Sequence, residues 1–243
     1  LRSPFLIAAL LNAANFALAL FLLPESRPGQ KGTRFTWSTL NPFKPLAWAL
    51  TFKALIPLMG IYLVMNLVGT VYGSIWAIFG EDVFAWNGMM IGLSLGAYGL
   101  LHAIAQAFLT GHAVARLGER WALLLGMACE ISAMLVMALA GQGWLVFVIM
   151  PIFALGGIGM PALQSLLTRQ VDSERQGQLQ GVLASLVSLA SVFGPLFFSL
   201  TYHGLRPNWP GAIWLVAICI YLLAVPLMTG IRRTLTVQTV HPG

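Results

Sequence analysis

The chain has 243 residues, of which 58% are hydrophobic and only 8% charged, with a formal net charge of +6. A water-soluble domain carries about a quarter charged residues, so a soluble fold is excluded and most of the chain must span a bilayer. The positive charge does not signal nucleic-acid binding, because the basic residues fall in short connections between apolar runs.

Those runs recur at spanning length, about 20 residues each. The first covers residues 3–23 and ends at Leu23-Pro24-Glu25-Ser26. Residues 24–53 form the only long polar connection, with Arg27, Lys31, Arg34, Lys44 and Lys53, and read as an interdomain linker. Further runs follow at 54–80 and 88–110. The block 121–168 is too long for one span and is split by Gly141-Gln142-Gly143. A polar loop at 169–180 leads to runs at 181–202 and 211–230, and residues 231–243 form a short tail. The parse predicts an all-α membrane protein of seven transmembrane helices. It places 11 of the 13 Lys/Arg on one face and leaves only Arg2 and Arg206 on the other. By the positive-inside rule the chain starts outside and ends in the cytoplasm. One helix, a linker and six more suggest the last helix of one bundle followed by a six-helix bundle at 54–230, a build common among secondary transporters. The chain opens on Leu1 with no secretory signal pattern, so it is expected to be part of a longer polypeptide.

Within 98–130 the sequence reads as a hydrophobic helix, a basic turn at 111–120 and a second hydrophobic helix. His102 lies nine residues before that turn and Glu130 ten after it. At 1.5 Å per residue both stand about 13–15 Å from it, near the middle of a hydrocarbon layer about 30 Å thick. Ionisable groups there cost about 2.5–3.5 kcal/mol each on insertion scales and point to function. His102 shares an i+4 stripe with Tyr98, Gln106 and Thr110, suited to proton handling and substrate contact or to an interhelical hydrogen bond. Glu130 reads as a second proton carrier, a counter-charge, or a neutral carboxyl donating a structural hydrogen bond. Asn66 and Gln164 are further polar candidates. Gly69, Thr70 and Gly73, the glycines at 156, 157 and 159, and Ser185, Ser188 and Ser191 allow close helix approach. Gly92-Leu93-Ser94-Leu95-Gly96 matches a hydrolase elbow by chance, since it lies inside a helix. No P-loop or metal spacing occurs, so no enzymatic chemistry is expected. Cys129 and Cys219 sit in apolar runs where no disulfide framework is plausible.

The segment from Gly111 to Arg120, with Gly118-Glu119-Arg120, resembles the cytoplasmic loop motif of the major facilitator superfamily, and Leu23-Pro24-Glu25-Ser26 resembles the end of its sixth helix. Phe79-Gly80-Glu81-Asp82, Gly99-Leu100-Leu101-His102-Ala103, Gln106-Ala107-Phe108, residues 156–164 and Gln176-Gly177-Gln178-Leu179-Gln180-Gly181 are similar to the tetracycline/proton antiporters of Gram-negative bacteria. The resemblance implies a drug antiporter of the bacterial inner membrane that exchanges protons for a tetracycline carried as a magnesium or other divalent-cation chelate, with no cofactor of its own. Its partners would be the drug, protons, the bilayer and the missing N-terminal half of the same transporter. It assigns proton coupling to His102 and Glu130, where the family usually has Asp at the second position. Together with the polar residues picked out above, it leads to an expectation of substrate contact at Tyr98, Gln106, Asn66, Thr70, Gln164 and Ser188, and of gating at Gly111, Arg116, Gly118, Glu119 and Arg120. Asn66, Thr70 and Tyr72 depart from the family's usual residues. The alternatives are a sugar or organic-acid symporter and a seven-helix receptor. A retinal protein is disfavoured because no Lys follows Lys53.

Overall fold

The computed structural model describes residues 3–22, 48–52 and 54–228, all helix and connections with no strand among them. The expected linker core and tail, residues 24–47 and 231–243, lie outside the described residues. Helix α1 (Ser3–Leu22) carries no charged residue and belongs to one compact unit. Every later helix belongs to a second.

In that second unit, α2 (Leu55–Phe84) is followed by α3 (Gly88–Ile104), a π-turn (Ala105–Leu109) and α4 (Thr110–Leu117) as one continuous rod. Then come α5 (Glu119–Leu139), α6 (Trp144–Gly156), α7 (Gly159–Thr168), α8 (Gln176–Leu205) and α9 (Ala212–Leu222). Among the described residues, five helical stretches are long and apolar enough to cross a membrane, and Leu6–Leu22 and Ala212–Met228 are shorter apolar helices. Their order follows the seven apolar runs of the sequence.

Several boundaries differ from expectation. The basic turn at 111–120 is mostly helix, because Ala113 to Leu117 contains nothing that breaks one. Only Gly118, at φ 78°, adopts a conformation that a side chain resists. Measured from Gly118, His102 is therefore about 24 Å and Glu130 about 18 Å along their helices, deeper than a turn over the whole stretch implied. Helix α2 runs past Gly80 through Glu81 and Asp82, since Asp82 accepts hydrogen bonds from Tyr202 Oη at 2.8 Å and Arg206 Nη2 at 2.7 Å on α8 and its cap. Helix α8 begins at Gln176, inside the expected polar loop. At the end of the expected linker, Trp48 and Phe52 pack against the bundle core and Ala49 is buried in it.

Lipid tails are as apolar as leucine, so close packing and polar contacts hold such helices together. Small residues supply the closeness. A Cβ added to Gly126 of α5 would lie 2.5 Å from the backbone nitrogen of Gly159 and 2.9 Å from the carbonyl oxygen of Gly156, so backbone meets backbone where α5 crosses the junction of α6 and α7. Gly194 of α8 likewise receives the Thr70 side chain of α2. An aromatic cluster fills one end. The buried Trp214 ring lies 5.3 Å from Tyr72, 6.3 Å from Trp76 and 5.4 Å from Phe79. This packing joins α5 to α6 and α7, and α2 to α8 and α9, around the bundle interior.

Candidate functional site

A polar cavity of about 330 Å³ lies in that interior. Its wall includes Asn66 and Thr70 from α2, Tyr98 and His102 from α3, Glu130 from α5 and Gly157 at the break after α6. The two ionisable groups seen in the sequence thus face one space, although 28 positions separate them.

The stripe on α3 is a hydrogen-bonded ladder. Tyr98 Oη lies 3.4 Å from His102 Nδ1, and Gln106 Nε2 lies 3.5 Å from His102 Nε2. The same Gln106 Nε2 donates to the Gly157 carbonyl at 2.8 Å, and Thr110 Oγ1 donates to Gln106 Oε1 at 3.2 Å. A regular helix would keep these side chains in step. Here the π-turn from Ala105 to Leu109 inserts an extra residue, and Thr110 Oγ1 also reaches the Ala105 carbonyl at 3.3 Å. Such turns recur at functional sites.

The helix break at Gly157 and Ile158 brings this ladder beside Glu130. A Cβ on Gly157 would collide with His102 Cε1, and one on Gly156 would lie 3.1 Å from Glu130 Cβ. Two adjacent glycines therefore seat the imidazole on one side and the carboxylate-bearing residue on the other. Glu130 is fixed from behind by α9, whose Tyr221 Oη donates to Oε2 at 2.5 Å. The cavity can hold a cationic or hydrogen-bonding guest between a carboxylate and an imidazole that can each take up a proton.

Other anticipated residues fall elsewhere. Gln106 contacts the ladder and Gly157, just outside the cavity wall. Gln164 is exposed and off the wall, one helical turn beyond Met160. Ser188 is also exposed, its hydroxyl donating to the Ala184 carbonyl of its own helix, while Ser191 reaches the cavity. Of the expected gating set, Gly111 and Arg116 are exposed along α4. Glu119 accepts from Arg169 Nη2 at 2.6 Å and Ser165 Oγ at 3.2 Å, tying the start of α5 to the end of α7. Arg120 Nε is buried without a hydrogen-bond partner among the described residues. Tyr221 and Phe153 were not anticipated. Neither carries a spacing signal, since each stands alone among apolar neighbours.

A bundle of apolar helices enclosing a polar interior defines a multi-pass membrane protein. The chain belongs to the Major Facilitator Superfamily, whose family profile matches residues 58–240. It is 45% identical over 228 residues to the tetracycline resistance protein, class C, of Escherichia coli, covering 94% of this chain and 57% of that protein. It is 42% identical to the class G protein of Vibrio anguillarum, covering 93% and 58%, and 38% identical to the class B protein of Escherichia coli, covering 93% and 56%. The chain thus spans a little over half the length of these relatives.

Proposed function

We propose that this chain supplies the C-terminal six-helix bundle, with the last helix of the preceding bundle, of a tetracycline/proton antiporter in the bacterial inner membrane. The observation that carries the reading is the pairing of His102 and Glu130 across Gly156-Gly157 in one polar cavity, in a chain related to tetracycline resistance proteins. The second half of the transport path would come from an N-terminal bundle, and the two bundles would rock about the cavity to expose it to alternate faces.

In this scheme His102 takes a proton from the outer face and releases it to the cytoplasm. Tyr98 and Gln106 hold the imidazole upright in the ladder while its charge changes. Glu130, steered by Tyr221, offers negative charge to the drug's divalent-cation chelate, and Asn66 and Thr70 hydrogen-bond its oxygens. The metal is cargo and no protein cofactor is required. Glu119, braced by Arg169 and Ser165, would hold the cytoplasmic end closed during outward release. The test is proton-driven tetracycline uptake by everted vesicles carrying the full-length transporter. His102→Ala is expected to abolish uptake while membrane insertion stays at the wild-type level, and wild-type exchange in that variant would overturn the assignment.

A further inference from the structure

Beside the polar cavity lies a second hollow of about 130 Å³, walled by Gly73, Trp76, Leu95, Ala133, Val146 and Met150. Its lining is almost wholly apolar. The hydroxyl of Ser94 donates to the Ile91 carbonyl at 2.7 Å and accepts from Trp76 Nε1 at 3.0 Å, so both of these polar groups are already engaged. A hollow with such walls does not hold water well. An apolar cavity of about 150 Å³ stays dry and accepts benzene.

Tyr98 and Phe153 line both hollows. The Phe153 ring stands between two tyrosines, 4.4 Å from Tyr72 and 4.6 Å from Tyr98, and stacks on the latter at 23°. It is carried on a short stretch between Pro151, which lacks a backbone N–H, and the break at Gly157. Helical restraint is weakened on both sides of this ring. Gly73 is exposed and stands at the rim of the apolar hollow, where a Cβ would meet nothing within 4 Å.

We propose that the apolar hollow is a subsite for one ring-sized apolar substituent of a ligand whose polar edge lies in the adjoining cavity, with Phe153 as the specificity-determining partition between them. The identity of that ligand rests on the antiporter reading. The capacity to hold a ring does not.

Two measurements on the full-length transporter test this. Hexafluorobenzene, followed by fluorine NMR in detergent against empty micelles, is expected to bind saturably. Gly73→Leu, which grows a side chain into open space, is expected to weaken that binding at least tenfold, and His102→Ala to leave it unchanged. Leu95→Trp fills the hollow from another wall if the first variant accumulates poorly. In everted vesicles, the uptake ratio of a phenyl-substituted tetracycline to its parent is expected to fall about fivefold in Gly73→Leu and rise about fivefold in Phe153→Ala. The proposal is overturned by absent saturable binding, by binding that survives both filling variants, or by an uptake ratio that moves in neither variant. Wild-type vesicles that take up no tetracycline would instead defeat the antiporter reading, and hexafluorobenzene binding lost in Gly73→Leu would then still support the subsite.

Discussion

The hydroxyl of Tyr221 donates to Glu130 Oε2 at 2.5 Å, joining α9 to α5 at the edge of the polar cavity. A hydrogen bond to a charged acceptor contributes about 1.5–3 kcal/mol, enough to decide where this carboxylate points. Tyr221→Phe is expected to lower drug exchange at least tenfold in everted vesicles, with little change in expression. Glu130→Asp should give a similar loss by drawing the carboxylate back one methylene. The double variant should lose less than the two losses combined, as for residues in direct contact.

Gly157 has no room for a side chain. Gly157→Ala sets its methyl against the His102 ring, and overpacking of this kind costs about 1–3 kcal/mol. The expected result is lost exchange and a lower melting temperature in detergent. Gly99→Ala on α3 meets nothing within 4 Å and should be neutral or slightly stabilising, by up to about 1 kcal/mol of helix propensity.

Gly126→Ala should be worse tolerated than Gly157→Ala in stability, though it is farther from the imidazole. Its methyl would meet the backbone of Gly159 at 2.5–2.7 Å, and backbone cannot swing aside as a side chain can. Comparing detergent melting temperatures of the two variants checks the order.

Asp82 is bound by Tyr202 and Arg206 together. Asp82→Ala should destabilise the bundle by about 1–2 kcal/mol, as it removes both bonds. Arg206→Ala should cost less, about 0–1 kcal/mol, because that side chain is half exposed and solvent screens the pair. Thermal unfolding of both variants at low and high salt measures the difference.

Ala85 closes α2 at φ 51°, with its N–H bonded back to the Gly80 carbonyl. A left-handed conformation is unfavourable for a residue with a Cβ. Ala85→Gly is expected to stabilise the fold by about 0.5–1 kcal/mol, read as a raised melting temperature.

The fold was legible because lipid imposes long uncharged runs, and the polar residues gather in the connections between them. The glycines at 141 and 143 disclosed a hairpin that hydropathy alone would have merged. Helix ends were less visible. Asp82 and Gln176 look like loop residues by type, and tertiary partners or helix continuation decided otherwise. His102, Glu130, Asn66 and Thr70 could be picked out because polar groups are costly at that depth. Gln164 and Ser188 were drawn by the same logic, yet a polar residue on a broken helix, or one bonded to its own preceding turn, need not face the interior. Phe153 and Tyr221 could not be found this way, since an aromatic residue in an apolar helix looks the same whether it divides two hollows, steers a carboxylate or touches lipid.

The wide turn from Ala105 to Leu109 gives the continuous rod of α3 and α4 one residue more than an even spiral would need. Removing a single residue there would close the turn to an ordinary α-helical one and leave the far end of the rod on nearly the same bearing. What would be lost is the reach of the Thr110 hydroxyl across five residues to the Ala105 carbonyl. The irregularity therefore takes up one residue locally, just beyond His102, without turning the rod.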